Sequence, residues 1–127
     1  MGKKYLIDSN AVIDFCNGKL PLQGRDLLFA IEQPIISIIT HIEVLGFAAI
    51  EKDEERQLKD FISIAHIIPL DLQVSLKTIE LRQQLRIKLP DAVIAATALV
   101  FDLTLITRNT DDFKNILGIK LINPWMI

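Results

Sequence analysis

The sequence predicts an α/β fold, a parallel sheet of four to five strands flanked by about seven helices in an αβα sandwich. Short β-rich runs alternate with longer helical patterns, the alternation that gives a parallel sheet covered on both faces. The strand candidates are nearly continuous apolar runs, as strands buried on both faces should be. Pro34, Pro69, Pro90 and Pro124 fall at element boundaries, where a missing amide proton does least harm.

Taken in order, the apolar run Tyr5 to Ile7 is the first strand, and a helix follows over Ala11 to Cys16, then another over Arg25 to Ile31. Ile35 to Ile39 is the second strand. Thr40 and Glu43 have the spacing of a capping box, which opens a helix over Thr40 to Ile50. A helix over Glu54 to Ile64 leads to the third strand, Ile67 to Leu70. In the helix expected over Leu72 to Leu85, Leu72, Leu76 and Ile79 recur at helical spacing with polar residues between. Pro90 introduces a helix over Asp91 to Phe101, and Leu103 to Ile106 is the fourth strand. Asn109 stands at a cap-like distance from Asp112, so a last helix is expected over Asp112 to Leu117, before a fifth strand at Lys120 to Ile122.

A chain of 127 residues, 50% of them apolar and 24% charged, is expected to fold as one domain over residues 1–127, with no linker or internal repeat. The formal net charge of -2 argues against a broad basic nucleic-acid surface, so any such contact must be local. Cys16 is the single cysteine, which excludes an intrachain disulfide and, with only His41 and His66 beside it, disfavours zinc. Met-Gly-Lys-Lys-Tyr-Leu-Ile-Asp leaves no room for the apolar core of a signal peptide. The longest uncharged apolar stretch, Ala92 to Phe101, suits a buried helix better than a membrane span, so a cytoplasmic protein is expected. Glu43 to Ile50 and Leu117 to Ile127 carry more apolar side chains than one small core hides, which points to an oligomer or a partner.

Four acids share one context, just after an apolar strand or at a helix start: Asp8, Glu43, Asp91 and Asp112. In an open parallel sheet the carboxyl ends of the strands and the helix N-termini that follow lie on one edge, so the four can converge. Each alone has an ordinary explanation: a cap, a turn residue or a first-turn acid facing the helix dipole. Together they do not. Two carboxylates ~4 Å apart repel by about 4 kcal/mol at an effective dielectric near 20, whereas a cap is worth only ~1 kcal/mol. A hard divalent cation resolves the crowding, and such a site would hydrolyse a phosphodiester with metal assistance. Spacing alone leaves open whether one ion or two bind.

Leu6-Ile7-Asp8-Ser9-Asn10, Glu43 on the helix after the second strand, Lys88-Leu89-Pro90-Asp91-Ala92-Val93-Ile94-Ala95-Ala96, and Leu105-Ile106-Thr107-Arg108-Asn109-Thr110-Asp111-Asp112-Phe113 resemble the successive motifs of PIN-domain ribonucleases. The resemblance spans essentially the whole chain, and the Leu-Pro-Asp-Ala run is similar to that of VapC toxins of bacterial toxin-antitoxin pairs. It implies a magnesium or manganese site with Asp8, Glu43 and Asp91 as its acidic core. The fourth position is open between Asn109, where many members carry an aspartate, and Asp112. Thr107 and Ser9 would contribute hydroxyls, with Asn10 in support. The resemblance further implies an RNA substrate, a homodimer and a cognate antitoxin.

Arg86, Lys88 and Arg108 are the cations nearest these motifs and the candidates for RNA phosphates. Asp111 reads as a solvated first-turn acid, and Asp14, one turn beyond Asn10, as an exposed helix position, with a role supporting the site as the alternative. His41 does not share a helix face with Glu43, His66 reads as a boundary residue, and Cys16 as a small apolar side chain. A receiver-type signalling domain would need an acidic pair after the first strand, and a haloacid-dehalogenase-type phosphatase an aspartate where Asn10 stands; both fit worse. A non-enzymatic binding module on the same fold is the remaining alternative, kept open by Asn109.

Overall fold

The computed structural model describes residues 3–47 and 51–127. Among these described residues, five strands, β1 (Tyr5–Ile7), β2 (Ile35–Ser37), β3 (His66–Ile68), β4 (Thr104–Ile106) and β5 (Lys120–Ile122), form one wholly parallel sheet in the order β3-β2-β1-β4-β5. Six α-helices connect them: α1 (Ser9–Cys16), α2 (Leu22–Ala30), α3 (Ile38–Leu45), α4 (Lys52–Ile64), α5 (Leu72–Gln84) and α6 (Leu89–Val100). This is the α/β architecture the sequence predicts.

Adjacent strand residues point to opposite faces, and the two cores follow that alternation. Leu6 and Leu105 point into one cluster with Val74 and Leu81 of α5 and the alanine-rich face of α6. Ile7 and Ile106 point into the other, with Ala11 and Val12 of α1, Val44 of α3, and Leu58, Phe61 and Ile62 of α4. Each such apolar side chain, fully removed from water, contributes about 1.5–3 kcal/mol. The small side chains Ala95, Ala96 and Ala98 let α6 lie close against the sheet and α5.

Three local readings differ. The second strand stops at Ser37 because the Ser37 hydroxyl accepts from the Ile39 amide and caps α3. Thr40 is therefore interior to that helix and fully buried, and the helix ends at Leu45 with Gly46 as its cap. Positions 48–50 of the segment expected over Thr40 to Ile50 lie outside the described residues. The last helical segment, expected over Asp112 to Leu117, is instead a single 3-10 turn at Thr110–Asp112, pinned by the buried Phe113. The helix expected over Leu72 to Leu85 is present as α5; Leu72, Leu76 and Ile79 face solvent, at 74%, 58% and 53% exposure, while Val74, Thr78 and Leu81 face the core.

β1 is central. The chain leaves it toward β2 and β3 on one side and returns to β4 and β5 on the other, so a topological switch point lies between the carboxyl ends of β1 and β4. The residues just beyond those ends are Asp8 and Thr107, and the Asp8 amide donates to the Ile106 carbonyl at 2.9 Å.

Candidate active site

Asp8 closes β1 and caps α1, its Oδ1 accepting from the Ser9 amide at 2.8 Å. Its Oδ2 accepts from the Thr107 hydroxyl at 2.8 Å and from Asn10 Nδ2 at 3.2 Å. The carboxylate is only 5% exposed. Burial raises its pKa above the ordinary 3.8; the hydrogen bonds from Thr107 and Ser9 oppose the rise, and the charges of Asp91 and Glu43 add to it.

Glu43, near the end of α3, is drawn to the same place by Ser9, whose hydroxyl donates to its Oε1 at 2.7 Å and pairs with Thr40 Oγ1 at 3.2 Å. The capping-box explanation of Thr40 and Glu43 is thus replaced by a contact between α1 and α3. Asp91 sits in the first turn of α6, half-buried, and its pKa is raised by that burial and by the charges of Asp112 and Glu43, against the lowering pull of Lys88. Asp8 thus feels the charges of Asp91 and Glu43, and Asp91 those of Asp112 and Glu43.

Thr107 is fully buried and accepts from the Asn109 amide at 3.1 Å, so the turn after β4 is built around its hydroxyl. Asn109 makes its contact through the backbone; its side chain forms no cap bond and is exposed, as is Asp112. Asp91, Asp111 and Asp112 share a cleft of about 400 Å³ with Arg86, Lys88 and Asn115. Asp111 pairs with Lys114 and is otherwise solvated, as expected.

One expectation is corrected. Asp14 is not an exposed helix residue; it is 5% exposed and accepts from Arg108 Nη1 at 3.1 Å and from the Trp125 indole at 2.9 Å. Arg108 consequently directs its guanidinium at Asp14 rather than into the cleft that Arg86 and Lys88 line. Neither Asp14 nor Thr40 was assigned its role from the sequence. The one available signal is that Asn10 and Asp14 fall four apart on one face of α1. His41 and His66 have no part in the cluster. The Cys16 thiol is half-buried, which pushes its pKa up to about 11.

Among the described residues no three His, Cys, Asp or Glu side chains stand close enough together to hold an ion as positioned. The donor chemistry nevertheless suits a hard cation: the side chains are oxygen donors, the buried one is costly to ionise alone, and magnesium keeps several waters with only one or two direct carboxylates.

A family model of the PIN domain matches residues 5–118. No curated protein matches the chain. Among solved structures, a toxin-antitoxin complex from Klebsiella pneumoniae is similar to it with a TM-score of 0.79 and 36% identity, over 98% of this chain and 100% of that one. The DNA-bound VapBC of Salmonella typhimurium is similar at TM-score 0.81 and 26% identity, over 97% of this chain and 99% of that one. VapBC2 of Rickettsia felis, bound to a DNA fragment from its promoter, gives 0.77 and 25%, over 94% and 97%.

Proposed function

The chain belongs to the PIN domain family, and on that premise we propose that it is a magnesium- or manganese-dependent endoribonuclease, the toxin of a VapBC-type pair. The observation that carries this reading is the buried Asp8, whose charge is opposed by burial and by the neighbouring charges of Asp91 and Glu43, at the switch point of a parallel sheet. A bound divalent ion would supply charge neutralisation at the scissile phosphate and acidify the attacking water.

The protein's own residues do the rest. Thr107, Ser9 and Asn10 fix the rotamer of Asp8, so that it meets a cation preorganised rather than after rearrangement. Ser9 holds Glu43 by one oxygen and leaves the other free. Arg86 and Lys88, on the rim of the cleft with Asp91 and Asp112, bind the RNA phosphates on either side of the cut, which fits a chain whose net charge is -2 and whose contact with RNA is local. Asn109 serves as a neutral neighbour of the site, and Asp112, whose charge helps raise the Asp91 pKa, serves as the fourth acid.

The same reading makes residues 1–127 one domain working in the cytoplasm, as a homodimer restrained by a cognate antitoxin. No helix among the described residues is long and apolar enough to cross a membrane. The exposed stripe Leu72, Leu76 and Ile79 on α5, and Phe29 and Ile42 on the helices of the other layer, supply the apolar surface that two protein partners would cover.

The test is cleavage of total and structured RNA with magnesium, with and without chelator, by the parent and by Asp8→Asn and Asp91→Asn. Chelator-sensitive cleavage lost in both variants supports the reading. A parent inert in magnesium and manganese would favour the binding-module alternative.

A further inference from the structure

Asp14 is a buried carboxylate that the proposed chemistry does not use. It lies on α1 four residues after Asn10, and its two oxygens take Arg108 Nη1 at 3.1 and 3.4 Å and the Trp125 indole N–H at 2.9 Å. Arg108 belongs to the turn after β4, and Trp125 to the segment after β5. One side chain thus joins three parts of the chain.

The joints on either side are equally specific. The Asn123 amide group donates to the Arg108 carbonyl at 3.3 Å, and Asn123 Oδ1 accepts from the Trp125 amide at 2.9 Å. Pro124 is buried with its carbonyl oxygen in the space a Cβ would fill on Gly24 of α2, so only glycine admits the segment there. From the turn, the Arg108 amide donates to Asn10 Oδ1 at 2.9 Å, and Asn10 Nδ2 donates to Asp8 Oδ2 at 3.2 Å and to Thr107 Oγ1 at 3.4 Å. A continuous path of hydrogen bonds therefore runs from Trp125 through Asp14, Arg108 and Asn10 to Asp8.

We propose that Asp14 is a positioning residue: by anchoring Arg108 and Trp125 it straps the C-terminal segment across the turn after β4 and thereby sets the orientation of Asn10 and of the Asp8 carboxylate. The positional claim stands on the contacts alone; its consequence for metal and RNA rests on the reading of the acids given above. Trp125 is the sole tryptophan, so its emission reports the strap directly.

The experiment compares Asp14→Asn with the parent, first without metal. Amide hydrogen exchange at Ser9 and Arg108, the two amides bonded to Asp8 and Asn10, is expected to accelerate about tenfold or more relative to the β1 amides, with a red shift of Trp125 emission. Manganese affinity is then expected to fall about fivefold, with a lower kcat and an unchanged KM for RNA. Trp125→Phe, which removes the indole N–H bond but leaves an aromatic ring and no tryptophan emission, is expected to give the same exchange and manganese effects more weakly, and those two readouts serve if Asp14→Asn does not fold. A shifted emission with unchanged exchange at Ser9 and Arg108 would make Asp14 a purely structural anchor and overturn the proposal; so would unchanged emission. If the parent binds no manganese, the reading of the acids fails while the metal-free exchange still decides the role of Asp14.

Discussion

Replacing Asp8 by Asn should stabilise the metal-free protein at neutral pH while removing its response to magnesium. Asp8 is 5% exposed, and burial, the largest influence on its pKa, works against its charge together with Asp91 and Glu43. An amide of the same shape removes that penalty, nominally several kcal/mol for a desolvated ion. Against this, the hydrogen bonds from Asn10 and Thr107 are disturbed at about 1 kcal/mol each. The expected net gain is about 1 kcal/mol, a rise in Tm of about 3–5 °C for a domain of this size. The sign follows from linkage. With its folded pKa raised, Asp8 binds a proton more tightly in the folded state, so parent stability declines as pH climbs from the unfolded value of 3.8 through the raised one. The Asn advantage should therefore be present at pH 7 and absent near pH 3.5, where both side chains are neutral. Thermal unfolding in chelator at the two pH values measures it, and repetition in magnesium should raise the parent by about 2.7 kcal/mol at a hundredfold excess over Kd, leaving the variant unmoved. A variant with the same pH dependence as the parent would refute the claim that the Asp8 charge is penalised.

Lys88→Met should weaken RNA binding, lower the salt slope by about one unit, and move the acid limb of the pH-rate profile to higher pH, because the cation that lowers the Asp91 pKa is gone; an unmoved limb counts against an ionised Asp91 in catalysis. Gly24→Ala should cost about 1–3 kcal/mol, since its Cβ would overlap the Pro124 carbonyl; denaturant titration reads it. Phe113→Ala, removing a ring 1% exposed, should cost about 3–5 kcal/mol in the same assay and melt the turn that carries Asp112. Leu76→Glu should reduce the dimer fraction in analytical ultracentrifugation without changing the monomer's melt; an unchanged sedimentation profile places the α5 stripe outside the interface.

Strand positions were legible because the sheet is buried on both faces, so that Tyr5 to Ile7 or Leu103 to Ile106 stands out as an apolar run whatever surrounds it. The same topology puts Asp8 at the carboxyl end of β1 and Asp91 at the start of α6, both legible as the acids that follow apolar or proline-marked boundaries. Where α3 begins was not, because Ser37 ends a strand and caps a helix at once, and local spacing favoured Thr40. The α5 helix was legible from the spacing of Leu72, Leu76 and Ile79, but period does not say which face meets the core, and Val74 and Leu81 take that place. The burial of Asp14 was not legible, because its partner Trp125 lies 111 positions away and no local pattern encodes so distant a contact.

The most direct test of the central claim is anomalous scattering from manganese diffused into crystals of the protein. The account predicts density within coordination distance of Asp8 and Asp91, lost in Asp8→Asn. Manganese bound elsewhere, or no bound manganese at concentrations that support RNA cleavage, would contradict it.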